Sequence, residues 1–271
     1  MKYVFLDIDG TIYDNKNGII SESTRNALEL AAKNGNKLFV NTGRSCCMLE
    51  HVKDINYDGV IAAAGAYVEV DGNIIFEENI LPDKLQEIID CCHELEISYI
   101  LEGKKGIYFD SVARKYFETA GRDGGVHEFL KMDVVNDADA FLSSGDIIYK
   151  LCIYAENVDK LQNIKKVLPE DYHFTSGGVK TEDVRFIEQE LTLKKNNKAS
   201  GIRKVLEYYN ADIKDTIGIG DSMNDFEMIK ECAVGIAMGN ADDKLKNYAD
   251  YITADVDKEG ITQAFVKYGL I

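Results

Sequence analysis

Two aspartates stand two residues apart in Asp7-Ile-Asp-Gly-Thr11, directly after the apolar run Lys2-Tyr-Val-Phe-Leu6. The run carries β-branched and aromatic members and reads as a buried strand that ends in acid. Carboxylates crowded at the edge of a buried strand repel one another and lose hydration, so something must offset that cost. A divalent cation would do so, and Gly10 would let the backbone fold tightly around it. A third acid is supplied by Gly220-Asp-Ser-Met-Asn-Asp225, where Asp221 again follows a short apolar run, Thr216-Ile-Gly-Ile-Gly220. Magnesium takes oxygen ligands in octahedral geometry and keeps several waters, so two or three carboxylates and a phosphate oxygen suffice for a shell.

These residues need elements that bring them to one edge. Ser21 to Lys33 reads as a helix with Ser21 as N-cap, Ala27, Leu28, Ala31 and Ala32 on one face, and Asn34-Gly35 as its stop. Lys37-Leu-Phe-Val-Asn41 is a second apolar run, followed by Thr42-Gly43-Arg44. Strand, helix, strand is the parallel crossover unit, and it brings Thr42 to the sheet edge that carries Asp7. In open α/β sheets that carboxyl edge is where ligands bind. Asp58 to Gly65 gives a third strand that ends in glycine.

The texture changes from Asn73. Ile74 to Leu81 reads as extended, and Pro82 opens a helix with Leu85, Ile88, Ile89, Cys92 and Leu95 at helical spacing. Ser98 to Leu101 and Gly106 to Phe109 read as hairpin strands, and Val112 to Thr119 as a helix. Residues 121–146 are polar and glycine-punctuated, and receive no assignment. Ile147 to Tyr154 is a strand, Val158 to Val167 a helix and Val184 to Glu188 a strand. Helix followed by hairpin strands marks an α+β module, placed at 82–188. Alternation then returns: helix Asn197 to Tyr209, strand Thr216 to Gly220, helix Phe226 to Cys232, strand Val234 to Met238, helix Asp242 to Tyr248 and an extended piece at Tyr251 to Thr253. One domain, residues 1–81 and 189–271, is thus expected to be interrupted by another.

Composition sets limits. The 271 residues include 47 acids against 31 bases, a formal net charge of -16, which disfavours nucleic acid and anionic membranes as partners. Any phosphorylated ligand must therefore be captured locally. The six cysteines show no C-x-x-C spacing and are expected to be thiols in a reducing cytoplasm. No run reaches the length of a membrane span, and no basic-then-apolar leader opens the sequence, so a cytoplasmic enzyme is expected.

Asp7-Ile-Asp-Gly-Thr11, Thr42-Gly-Arg44, Lys198 and Gly220-Asp-Ser-Met-Asn-Asp225, in that order, resemble the four motifs of the haloacid dehalogenase superfamily. The match is to its Cof-type phosphatases, which carry a large cap between the second and third motifs. Gly239 to Thr253 and Glu259-Gly-Ile261 are also similar to that subfamily. The resemblance implies an α/β fold with a Rossmann-like parallel-sheet core and an inserted α+β cap. It further implies magnesium and a small phosphorylated metabolite, sugar phosphates foremost, as cofactor and substrate. Asp7 would attack phosphorus, forming an aspartyl phosphate. Asp9 would act as general acid and then base, touching the metal mainly through its backbone carbonyl. Asp7, Asp9 and Asp221 would hold the metal, while Thr42, Gly43, Lys198 and Asn224 would hold the phosphoryl group. Asp225, with Asn224, would orient the site.

Two departures stand out: Lys198-Ala199 replaces the family's Lys-Gly, and Ala64-Gly65-Ala66 replaces its usual Asn-Gly, which removes an amide donor. Lys194 and Lys195 lie near Lys198, which is preferred because it opens a helix. The same site could serve a phosphomutase or phosphotransferase, or a binding protein of low turnover, although a pure binder has no use for a second acid. A Rossmann dinucleotide module is disfavoured, since no G-x-G-x-x-G follows the first strand.

Overall fold

The computed structural model describes residues 1–120, 133–168, 170–176 and 187–271. Its contacts divide the chain into two compact units. One comprises Met1–Arg44, Leu49–Glu77 and Asn196–Ile271, the other Ser45–Met48 and Glu78–Lys195.

The first unit opens with β1 (Tyr3–Leu6), every residue of which is buried. Helix α1 (Glu22–Lys33) begins where the Ser21 side chain accepts from the Thr24 amide, and it buries Thr24, Ala27, Leu28 and Ala31. Thr24 therefore takes the place expected for Ala32, because the buried stripe is displaced toward the helix start. β2 (Lys37–Asn41) and β3 (Gly59–Ala62) follow, both parallel to the strand before them in the sheet. Next comes an antiparallel hairpin, β4 (Tyr67–Val70) and β5 (Asn73–Glu77). The extended stretch expected from Ile74 to Leu81 is thus the second arm of this hairpin, and it stops at Glu77. Asp71 and Gly72 both take positive φ at the turn, 50° and 76°, as a two-residue hairpin turn between twisted strands requires.

In the second unit, α2 (Pro82–Glu94) starts with proline at its first turn, where the missing N–H costs nothing. β6 (Ser98–Gly103) and β7 (Ile107–Phe109) form an antiparallel pair, and α3 (Ser111–Ala120) follows. Past residue 132 come β8 (Val135–Asp137), α4 (Ala138–Ser144), β9 (Ile148–Ala155), α5 (Val158–Val167), β10 (Tyr172–Ser176) and β11 (Ile187–Leu193). Residues 184–186 of the expected strand lie outside the described residues. The strand continues five residues past Glu188 to Leu193, paired with β10 and β9. A boundary at 188 would cut a hydrogen-bonded strand, and the unit instead closes at Lys195. The sheet order is β10-β11-β9-β6-β7-β8. Leu85, Ile88, Cys91 and Cys92 of α2 and Leu161 and Ile164 of α5 pack on Tyr99, Leu101, Leu151 and Ile153.

The first unit resumes with α6 (Lys198–Tyr209), β12 (Thr216–Gly220), α7 (Phe226–Glu231), β13 (Val234–Ala237), α8 (Asp243–Lys246), β14 (Tyr251–Ile252) and α9 (Gly260–Lys267). Its sheet runs β14-β13-β12-β1-β2-β3-β4-β5, parallel from β14 to β3. Strand residues alternate between faces. Tyr3, Phe5, Phe39 and Ile61 meet Ile202, Val205 and Leu206 of α6 and Met228 of α7 on one face. On the other, α1 lies along β2 and α9 against α1. Among the described residues no helix is long and apolar enough to cross a membrane.

Candidate active site

β1 and β12 are neighbours in register, Leu6 opposite Ile219, so Asp7 and Asp221 leave the sheet side by side at its carboxyl edge. The Asp7 amide still donates to the Ile219 carbonyl at 3.0 Å. The chain then coils back on itself, with the amides of Ile12 and Tyr13 both donating to Ile8 O at 3.0 and 2.9 Å. Gly10 is required in this turn for two reasons. Its φ is +74°, and a Cβ there would stand 2.3 Å from Asp221 Oδ2. Asn240 braces the turn from the far end of the unit, its Nδ2 donating to Gly10 O at 2.8 Å while its Oδ1 accepts from Val256 N at 2.8 Å.

Lys198 is the first residue of α6. Asn197 caps that helix by accepting from Ser200 N at 2.8 Å, and the Ser200 hydroxyl accepts from Asn197 N at 3.0 Å. A lysine at a helix N-terminus opposes the helix dipole and is here 2 % exposed. Carboxylates compensate it: Nζ lies 2.7 Å from Asp7 Oδ1 and also bonds Asp225 Oδ1, with Asn224 Oδ1 at 3.3 Å. Asn41, at the end of β2, fixes the same helix start by donating from Nδ2 to Lys198 O at 3.2 Å. Lys194 and Lys195, the rival lysines, are exposed, and Lys195 pairs with Glu78 at 2.5 Å.

Asp225 is fully buried. Its Oδ2 accepts from the amides of Asp221 and Ser222 at 2.9 and 3.0 Å, so it is both the partner of Lys198 and the brace of the Asp221 loop. Burial, then repulsion from Asp225, pushes the Asp7 carboxyl up to about 7, although Lys198 pulls the other way. Burial and the charges of Asp7 and Asp225 push Asp221 up to about 8. Burial alone would lower Lys198, but Asp225 and Asp7 outweigh it and hold the ammonium charged. The cluster therefore carries more negative charge than its one lysine offsets.

The loop after β2 approaches the same edge. Thr42 is buried, and its Oγ1 accepts from Arg44 N at 3.1 Å. Gly43 is half-exposed, and a Cβ on it would lie 3.9 Å from Asn224 Nδ2. Arg44 reaches back across the edge to Asp9 with two bonds, Nε to Oδ2 at 2.8 Å and Nη2 to Oδ1 at 2.7 Å. Burial would depress Arg44, but the Asp9 carboxylate overcomes it, with a smaller contribution from Asp7, and the guanidinium is held charged. At the turn after β3, Ala63 and Ala64 sit at φ 48° and 52°, a left-handed conformation that alanine adopts with strain and asparagine tolerates better.

Of the residues singled out from the sequence, the structure gathers Asp7, Lys198, Asp221 and Asn224, with Thr42 and Gly43 on the adjoining loop. The Asp9 carboxylate is turned to Arg44. Among the described residues, Asp7, Asp221 and Asp225 offer oxygens within 4.8 Å of one another, close enough to share a metal ion. Sequence reasoning gave Asp225 an orienting part only and gave Arg44, Asn41 and Asn240 none. The polar end of an otherwise apolar run was the available signal for Asn41. Nothing in spacing could announce that Arg44 meets a carboxylate 35 residues away.

Carboxylates and a buried lysine gather at the carboxyl edge of a parallel sheet, the edge at which open α/β folds bind their ligands. The chain belongs to the haloacid dehalogenase-like hydrolase family, whose sequence pattern matches residues 4–265. It is 29% identical over 276 residues to YkrA of Bacillus subtilis (strain 168), a protein named for an expected phosphatase activity, covering 100% of this chain and 98% of that one. It is 24% identical over 289 residues to YwtE of the same organism, a 5-amino-6-(5-phospho-D-ribitylamino)uracil phosphatase, covering 96% of each. Among solved structures, BT1666 of Bacteroides thetaiotaomicron, a phosphatase of the same superfamily, superposes with a TM-score of 0.83. Its sequence identity is 25%, with 100% of this chain and 96% of that one covered.

Proposed function

We propose that this haloacid dehalogenase-type phosphatase hydrolyses phosphomonoesters of small metabolites, sugar phosphates foremost, with Asp7 as nucleophile and magnesium as its metal. The contact that carries the reading is Lys198 Nζ on Asp7 Oδ1 at 2.7 Å, a fixed ammonium beside a buried carboxylate that holds it aimed and counters the charge of an arriving phosphoryl group.

The donor set suits a hard divalent cation. Three carboxylates converge, and burial, then mutual repulsion, raises Asp7 and Asp221, a cost that a cation would relieve. Asp7 and Asp221, with the Asp9 backbone carbonyl, would hold magnesium, which when bound draws charge from the phosphoryl oxygens.

Asp7 attacks phosphorus, the ester P–O bond breaks, and its electron pair stays on the leaving oxygen, which takes a proton from Asp9. Water then attacks phosphorus and gives a proton to Asp9, the P–O bond to Asp7 breaks, and orthophosphate leaves. The Thr42 hydroxyl, the Gly43 amide and Asn224 Nδ2 are donors for the phosphoryl oxygens. The inserted unit is assigned the choice of metabolite. The phosphoribityl compound in the name of YwtE supports the sugar-phosphate class.

Phosphorylated metabolites screened with magnesium, with released orthophosphate compared against substrate lost, test the reading. Equal amounts are expected. Substrate loss without orthophosphate would mean a mutase or phosphotransferase, and undiminished activity in chelator would remove the metal.

A further inference from the structure

Arg44 has no task in the reaction above, yet both its backbone and its side chain are tied to the edge of the site. Its amide donates to Thr42 Oγ1 at 3.1 Å, and its carbonyl accepts from Ala63 N at 2.7 Å. Its guanidinium lies 5.9 Å from the centre of the Tyr13 ring, and the Tyr13 carbonyl closes the Asp9 turn by accepting from Gly10 N at 2.9 Å. Between these anchors the guanidinium takes both oxygens of Asp9, at 2.8 and 2.7 Å. The pair is only partly exposed, at 19% for Arg44 and 38% for Asp9. A planar two-bond match fixes the direction of a carboxylate as a single lysine could not.

We propose that Arg44 is a positioning residue that acts through Asp9, aiming its carboxylate at the water of the second half-reaction. A carboxylate has about four lone-pair sites, and a bidentate guanidinium takes two of them. The remainder can accept the proton of water as its oxygen bonds phosphorus and the Asp7 oxygen departs. Donating a proton to a leaving group is the task this pairing suits less, because a protonated carboxyl must surrender one of the two bonds. The proposal rests on the Asp7 reading and adds a division of labour to it: the Arg44–Asp9 pair governs breakdown of the aspartyl phosphate more than its formation.

The test uses p-nitrophenyl phosphate with magnesium, because nitrophenolate leaves without a proton and first transfer to Asp7 then makes little demand on Asp9. In Arg44→Ala the initial burst of nitrophenolate should stay equal to the enzyme present, while kcat falls about 100-fold, the scale of a lost general base. KM should fall in step, so that kcat/KM, which reports the first transfer, changes less than about threefold against that loss. Asp9→Asn should behave alike, the double variant should lose nothing further, and guanidinium ion should restore part of the Arg44→Ala turnover. Arg44→Lys, which keeps charge but not the two-bond geometry, should fall between, and it stands in if the alanine variant does not fold.

A fall in kcat/KM equal to that in kcat, or a double variant far weaker than Asp9→Asn, would make Arg44 a direct phosphate ligand and overturn the proposal. Failure of the underlying reading would look different. No phosphoenzyme would then be trapped from Asp9→Asn by acid quench, whatever Arg44→Ala does.

Discussion

Each of the two units buries a lysine between carboxylates. In the first, Lys198 lies buried between Asp7 and Asp225; in the second, Lys150 lies buried between Glu102 and Glu190 at 3.3 and 2.8 Å. Both ammonium groups are held charged, since their carboxylates outweigh the effect of burial. The difference lies in where the chain puts them. Lys150 and Glu102 face each other within antiparallel strands β9 and β6, so the second cluster is fixed by sheet register. Its neighbours also turn inward: Cys152 Sγ donates to Glu102 Oε1 at 3.2 Å and the Tyr154 hydroxyl to Glu188 at 3.1 Å. The first cluster hangs from loops at the ends of parallel strands, and backbone amides and a neighbouring turn converge on it. Its surplus acid, Asp221, points toward the same space as Asp7. A buried ion pair is by itself weak grounds for function. A surplus of carboxylate at a strand-edge crevice is a stronger sign.

The sharpest way to break the comparison is to neutralise one member of each cluster. Asp7→Asn should reduce orthophosphate release to background with the thermal midpoint retained, whereas Glu190→Gln, in the other unit, should leave turnover of p-nitrophenyl phosphate close to that of the unaltered protein. Next in size is Gly10→Ala. A Cβ 2.3 Å from Asp221 Oδ2, at φ +74°, must displace that carboxylate. Turnover at fixed magnesium should fall about 100-fold, the scale of a misplaced catalytic group, and calorimetry should show weaker magnesium binding.

Lys198→Met and Lys150→Met should each destabilise by about 3–5 kcal/mol, because each strands buried acids without a cation. Denaturant unfolding with and without magnesium separates them, since magnesium should recover part of the loss for Lys198→Met and none for Lys150→Met.

The smallest effect expected is in the pH dependence of stability. Asp7 and Asp221 are raised to about 7 and about 8, and Glu188 of the second unit, mainly by burial, to about 7. A carboxyl with a raised folded value binds its proton more tightly in the fold. Its contribution is complete below the unfolded value and disappears as pH climbs through the folded one. The metal-free protein should therefore lose thermal stability as pH rises from about 4, the unfolded carboxylate range, to about 8. Magnesium should cancel the share due to Asp7 and Asp221 and leave that of Glu188, which Glu188→Gln should remove.

The parts of this molecule that can be read from its sequence are those set by local rules. Strand β1 into Asp7, the Ser21 cap, the proline start of α2 and the lysine that opens α6 each follow from a few adjacent residues. Asp71-Gly72 between alternating apolar residues was an equally local sign of the β4–β5 hairpin, and an extended run begun only at Ile74 passed over it. The end of β11 at Leu193 depends on pairing with β10, where Leu193 stands opposite Tyr172, and no short window around Glu188 contains that partner. The site divides in the same way. Asp7, Asp9 and Asp221 are visible as acids after strands, while the Arg44–Asp9 pair and the double role of Asp225 arise from side-chain directions fixed only when β1, β2 and β12 lie side by side.

The central claim is that Asp7 carries the phosphoryl group, and acid-quenched enzyme tests it directly. After mixing Asp9→Asn with magnesium and p-nitrophenyl phosphate, peptide mapping by mass spectrometry should find one hydroxylamine-labile phosphoryl group on the peptide containing Asp7. No covalent phosphate in that variant, together with continued turnover by Asp7→Asn, would contradict the account.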